Sequence, residues 1–215
     1  LRGTSINEFL QTLNGTLYAA TNRGVVTLGT GDPEAFSESN GLPNNIVSSL
    51  CQDRENNLWV GMEHGGIGKF SRGKFLDLTS EKSLPAEAAN AVIQDADKNI
   101  WIAKDDGIAC IKSSGLSLER SGQIDSVSEI LKGLRVRQVR EDSDGSLFFA
   151  TYSDKGLLIF SKDGSIRSIT KNDGLPNNRI RFSYSGRDNV MWIGTTAGPA
   201  LYYNGTVTAF TREDG

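Results

Sequence analysis

The stretch Asn40 to Phe70, NGLPNNIVSSLCQDRENNLWVGMEHGGIGKF, returns in degraded form along the whole chain. No other feature narrows the possible folds as much. NDGLPNN recurs at Asn172 to Asn178, SLPAE stands in its place at Ser83 to Glu87, and the aromatic that follows is Tyr18, Trp59, Trp101, Phe148 or Trp192, at separations of 41, 42, 47 and 44 residues. A period in the forties, with an aromatic and strand-like runs in each copy, is the mark of a β-propeller or a related repeat array.

Within the second copy the pattern predicts four strands: Ile46 to Asp53, Leu58 to Met62, Ile67 to Ser71 and Lys74 to Thr79. The polar turn Arg54 to Asn57 has Asn14-Gly15 and Asp144-Gly145 as counterparts, and Asp163-Gly164 and Asn204-Gly205 follow third strands. Such pairs reach the positive φ of a two-residue hairpin, so each copy reads as a tight antiparallel meander. The first strand is small and the second aromatic, the third is apolar, and the fourth alternates with polar residues, as a radial blade requires. Each second-strand aromatic is followed two residues on by Gly or Ala: Tyr18/Ala20, Trp59/Gly61, Trp101/Ala103, Phe148/Ala150, Trp192/Gly194. A ring from one sheet can then sit over a small residue of the next, which makes these five aromatics structural contacts between blades.

The expected architecture is therefore all-β: one propeller domain over residues 1–215, of five four-stranded blades with repeats near 1–41, 42–83, 84–130, 131–174 and 175–215. The fourth repeat carries an insertion, Ser113 to Lys132, in which Ser126 and Glu129 suggest a capping box for one helical turn. No strand is shared between the first and last repeats. The five either close as a small ring or form an arc of a larger propeller, whose exposed sheet faces would associate with further blades or a second copy.

Composition removes several functions. The net charge is −3 and no block of like charge interrupts the chain, so neither nucleic acid nor an anionic membrane is an expected partner. Cys51 and Cys110 fall at different phases of their repeats and read as small buried hydrophobes rather than a disulfide. Asp95 to Asn99 and Asp142 to Ser146 resemble calcium loops superficially, yet Asp106 and Ser153 stand where the bidentate Glu belongs, so no metal or cofactor is implied. No apolar run spans a membrane and no signal peptide is evident. The chain stops at Asp214-Gly215, the start of another such phrase, which suggests excision between repeats and leaves room for a membrane segment outside it.

The phrase DGLPNNxVxxxxxDxxxNLWVGxxxGGIxxF resembles the two-component regulator propeller repeat of bacterial hybrid histidine kinases and related signalling proteins. All five repeats carry it to some degree; the third has SLPAE, the first LRGTS, and the fourth lacks both the Pro and the Trp. The resemblance implies a sensor on the periplasmic or extracellular side of the inner membrane, recognition of an external ligand, often carbohydrate, and transmission through dimer geometry. It implies no enzyme.

In a propeller the loops from second to third strand share one end, and variable loops on a rigid frame carry recognition. Arg23, Glu63, His64, Lys104, Asp105, Asp106, Tyr152, Asp154 and Lys155 lie on these loops and offer donors, acceptors and one aromatic suited to sugar hydroxyls. Surface loops are polar in any case, which is the plainer explanation for each. GLPNN reads as structure: Gly allows the bend, Pro fixes φ, and Asn side chains bond nearby backbone. A glycosidase would need carboxylates on inner strands, where this chain offers Ser, Ala, Asn, Arg137, Arg140 and Arg181. The only acid/base pair in a loop is Glu63 with His64.

Overall fold

The computed structural model describes residues 4–29, 33–71, 74–78, 87–112, 122–186 and 190–210. The first sheet holds β1 (Ile6–Gln11), β2 (Leu17–Thr21), β3 (Gly24–Leu28) and β4 (Ala35–Phe36); the second holds β5 (Val47–Gln52), β6 (Leu58–Met62), β7 (Ile67–Ser71) and β8 (Lys74–Asp77). The third has β9 (Ala89–Gln94), β10 (Ile100–Lys104) and β11 (Gly107–Ile111). The fourth runs through β12 (Val136–Glu141), β13 (Leu147–Thr151), β14 (Leu157–Phe160) and β15 (Ile166–Ile169), and the fifth through β16 (Ile180–Ser185), β17 (Met191–Thr195), β18 (Gly198–Tyr203) and β19 (Thr206–Ala209). Four sheets are thus four-stranded antiparallel meanders, and the third has three strands among the described residues. The fourth strand expected there falls after Lys112, outside those residues.

The chain divides into two compact units, one with the first two sheets, β9 and β10, the other with the last two sheets and a helix. In the first unit, Leu10, Tyr18 and Ala20 pack on Leu50, Leu58, Val60 and Met62 of the second sheet. At its outer edge Phe36, Phe70 and Phe75 cluster with centroids 4.7–5.7 Å apart. In the second unit, Phe148, Ala150 and Leu157 pack on Met191, Ile193 and Ala200 of the fifth sheet.

Neighbouring sheets are also pinned by a recurring polar contact. A side chain at the third position of one first strand accepts a backbone N–H from the next: Glu8 from Leu50 at 2.8 Å, Ser49 from Val92 at 3.0 Å, and Gln138 from Ser183 at 2.5 Å. In the second sheet Gly61, two residues after Trp59, admits this approach, since a Cβ added there would stand 3.0 Å from the Ala89 carbonyl oxygen. At Gly61 it is the backbone of the next sheet, rather than a ring, that the small residue admits. Gly194 shows a second use: the ring of Phe182, its partner in register on β16, occupies the space a Cβ would need.

Of the five aromatics, Trp59, Trp101 and Phe148 are buried and Tyr18 is half-buried, whereas Trp192 is 41% exposed. Its ring stacks on Phe210, with centroids 5.7 Å apart. Cys110 is buried and Cys51 is half-buried opposite Trp59, with no disulfide among the described residues.

The turns are tight, as expected, but mostly one residue longer than a two-residue hairpin. Asp53 N–H bonds the Asn57 carbonyl at 3.0 Å while Asn56 N–H bonds the Asp53 carbonyl at 3.0 Å. This is a type I turn followed by one left-handed residue, and Asn56 takes that place with φ 63° where the first and fourth sheets use Gly15 and Gly145. Asn204-Gly205, both at positive φ between the paired Tyr203 and Thr206, is the true two-residue turn.

The helix α1 (Gly122–Leu131) is also longer than the single turn anticipated. Ser126 lies in its interior rather than at its cap, because buried Val127 and Leu131 set the register, and Glu129 pairs with Lys132 at 3.8 Å.

Candidate functional site

In four of the five sheets the loop after the second strand is held by one backbone bond to the entry of the first strand of its own sheet. These bonds are Asn22 N–H to the Ser5 carbonyl at 3.2 Å, Glu63 to Ile46 at 2.9 Å, Tyr152 to Arg135 at 2.8 Å and Thr196 to Arg179 at 3.1 Å. A repeated tether of this kind makes the loop tips rigid platforms for whatever side chains the repeat supplies.

In the first unit the platforms carry Arg23, Glu63 and His64, all exposed. Arg23 is set by its N–H bonding Thr21 Oγ1 at 3.0 Å. Lys104 differs from expectation: it is buried, and its Nζ lies 3.1 Å from Glu87 Oε2, so its ammonium is engaged within the protein rather than presented to a ligand.

The second unit carries Asp105, Asp106, Tyr152, Asp154 and Lys155. Asp105 Oδ1 accepts from Arg135 Nε at 2.7 Å. The GLPNN phrase shapes this end: Asn178 Nδ2 donates to the Asp154 carbonyl at 3.0 Å and Asn177 Oδ1 accepts from Arg179 N–H at 2.9 Å. Its glycines close short 3₁₀ turns, Glu38–Asn40 and Lys171–Asp173, as left-handed caps at φ 92° and 107°. The phrase is structural, and it also places Arg179.

Tyr152 is the centre of the unit's most distinctive cluster. The guanidinium carbons of Arg137, Arg179 and Arg181 stand 5.6, 5.6 and 5.9 Å from its ring centroid, within range of attraction to the ring's negative face. Burial first, then the charge of neighbouring Arg135, draws the Arg137 guanidinium below its usual range, with Arg181 adding to the effect and Asp105 opposing it. Reasoning from the sequence saw Arg137 and Arg181 on inner strands but did not join them to Tyr152. The available signal was R-V-R at Arg135 to Arg137 and R-I-R at Arg179 to Arg181, in the same phase of successive repeats.

With this geometry in place, comparison with known proteins is informative. Residues 41–64, in the second repeat, match the two component regulator propeller family, the family that the repeated phrase resembles. No curated protein matches. Among solved structures, the extracellular domain described as that of the hybrid two component system BT3049 from B. thetaiotaomicron superposes over 100% of this chain and 29% of its own, with TM-score 0.83 and 23% identity. The corresponding domain of BT4673 from the same organism covers 97% of this chain and 31% of its own, at TM-score 0.77 and 14% identity. Virginiamycin B lyase from Staphylococcus aureus covers 94% and 68%, at TM-score 0.71 and 14% identity. The chain thus has a propeller-like all-β fold and spans under a third of the length of the first two of these relatives. Among the described residues no helix is long and apolar enough to cross a membrane.

Proposed function

We propose that this chain is a non-catalytic sensing module of a bacterial two-component signalling protein. In this reading it acts on the periplasmic or extracellular side of the inner membrane and recognises an external saccharide through the loops after its second strands. The observation that carries the reading is the superposition of the whole chain on an extracellular sensor domain at TM-score 0.83, joined to the repeat match at residues 41–64. The tethered platforms supply the geometry such recognition needs, and the lyase likeness, lower in both identity and TM-score, is the weaker of the two.

A thermal-shift screen against poly- and oligosaccharides tests it. A saccharide at a hundredfold excess over its Kd stabilises the protein by about 2.7 kcal/mol, and chromatography should recover it unchanged. Consumption of the saccharide, abolished in His64→Ala, would instead establish an enzyme.

A second reading, a scaffold that pairs with a second copy of itself, is favoured by one observation. Phe182, Tyr184 and Trp192 lie together on β16 and β17 with 54%, 62% and 41% of their surface open, and aromatic faces of this kind mark association sites. A molecular mass in solution that stays that of one chain at high concentration removes this reading.

A further inference from the structure

We propose that Arg137, Arg179 and Arg181, arrayed around Tyr152, form a binding site for an anionic group, the carboxylate or sulfate of an acidic saccharide. The saccharide part rests on the sensing reading above; the anion part does not.

The first argument comes from the repeat itself. The entry residue of each first strand and the residue two positions on are Ser5 and Asn7, Ile46 and Ser48, Ala88 and Asn90, then Arg135 and Arg137, Arg179 and Arg181. Where these positions are neutral they serve the fold: Asn7 Nδ2 donates to the Val47 carbonyl at 2.7 Å, and Ser48 Oγ donates to the Gly61 carbonyl at 3.0 Å and to the Ala89 carbonyl. The architecture therefore has no need of arginine here. Two consecutive repeats nevertheless carry it at both positions.

The second argument is electrostatic. Arg135 has its own carboxylate in Asp105, but among the described residues no Asp or Glu forms an ion pair with Arg137, Arg179 or Arg181. Gathering three like charges around one ring is unfavourable, and the ring's negative face offsets only part of it. This happens in a chain with more acidic than basic residues, 26 against 23. The lowered proton affinity of Arg137 comes first from burial, and then from the like charges of Arg135 and Arg181. An anion placed among the three would relieve the crowding of charge.

The third argument is geometric. Guanidinium groups are planar forks that bind carboxylate or sulfate through paired hydrogen bonds. Here they are preorganised: β12 and β16 hold Arg137 and Arg181, Asn177 fixes the Arg179 backbone, and an antiparallel bridge ties Arg179 to Tyr152. Arg179 and Arg181 are exposed and Arg137 is half-buried, so the cluster is open to a ligand on one side.

The test is calorimetric titration and thermal shift of the full chain, at low and moderate salt, with trigalacturonate, a sulfated chondroitin disaccharide, neutral galactotriose and sodium sulfate. Each is compared in wild type, Arg179→Gln, Arg181→Gln and the charge-keeping Arg181→Lys. The expected result is that an acidic saccharide binds, salt weakens it, galactotriose binds at least roughly tenfold more weakly, and each Gln variant loses roughly tenfold in affinity, or about 1.4 kcal/mol. Arg181→Lys should fall between, since it keeps the charge and loses the fork. Stabilisation by sulfate alone in wild type but not in the Gln variants, with no saccharide bound, upholds the anion site and removes the saccharide reading. Saccharide binding that is equal for galactotriose and trigalacturonate, or unchanged in both Gln variants, overturns the anion site and leaves sensing intact. Indifference of wild type to every acidic probe overturns the site as well.

Discussion

The second and fifth sheets follow the same phrase most closely, and both place a tryptophan at the same point of the second strand, yet the two indoles live in different worlds. Trp59 is buried, and its Nε1 donates to Asp53 Oδ2 at 2.7 Å. Asp53, itself buried, also accepts from the Asn57 backbone N–H at 2.7 Å and from Asn57 Nδ2 at 2.8 Å, and Lys69 Nζ lies 3.8 Å from it. The third sheet repeats the arrangement with Asp95, Asn99 and Trp101. In the fifth, Gly186 stands six residues before Trp192, where the second sheet has Asp53, and the ring lies open. The lesson is that the tryptophan alone does not make an interior position. A buried indole needs a partner for its N–H, and the aspartate six residues earlier both closes the hairpin and provides that partner.

The largest expected effect comes from deleting each ring in turn. Trp59→Ala removes a buried aromatic and leaves Asp53 short of a donor, so a loss of about 3–5 kcal/mol is expected. Trp192→Ala gives up a part-exposed ring that stacks on Phe210 and orphans no buried group, and about 1–2 kcal/mol is expected from its smaller burial. Chemical denaturation of the two variants decides the matter, and equal losses would mean that the comparison misreads what holds the sheets.

Next in size is the carboxylate itself. Asp53→Asn keeps the shape but replaces an acceptor oxygen with a donor, which must then face either the Asn57 amide or the Trp59 indole. Two donors that meet in a buried site cost about 2–3 kcal/mol. The complementary change, Gly186→Asp, has no buried indole to satisfy and brings a Cβ 3.1 Å from the Val190 carbonyl oxygen, so no gain in stability is expected from it. Should Asp53→Asn unfold at the wild-type denaturant midpoint, the Asp–Trp link is incidental.

The same contrast shows what could be read from the chain in advance. Strands β6 and β7 were legible to the residue because the repeat fixes their period and the turn pairs fix their ends. The Asp53–Trp59 link was present in the repeat as a constant six-residue offset, but spacing alone does not say that an aspartate at a turn will point inward. The exposure of Trp192 was harder still, since Gly186 in place of the aspartate leaves the strand pattern around the tryptophan unchanged. Among site residues, the loop positions were legible as loops, but the pairing of Lys104 with Glu87 joins two turns of the third repeat whose side chains have no shared motif. The arginine ring was hidden for another reason. Its members were visible as inner-strand residues, but only the backbone tether from Tyr152 to Arg135 brings strand entry and loop tip together.

The smallest effect concerns the 3₁₀ turns that introduce these two sheets. Before the second, Asn40 Oδ1 accepts from the Ser37 N–H at 3.2 Å; before the fifth, Asp173 Oδ2 accepts from the Thr170 N–H at 2.9 Å and from Thr170 Oγ1 at 3.0 Å. The geometry is shared and only one of the two can titrate. Hydrogen bonds from the Thr170 backbone and hydroxyl hold the Asp173 carboxyl below its usual value, so the unfolded chain takes up the proton first as pH falls. The cap's contribution is then complete above the unfolded value of about 3.9 and disappears as pH drops through the lower folded value. Asp173→Asn copies the Asn40 cap and removes this dependence. The difference in Tm between wild type and variant should therefore be constant from about pH 7 to pH 5 and shift in the variant's favour below about pH 4. A difference that holds constant down to about pH 3 would show that the two caps, charged and neutral, are energetically the same device.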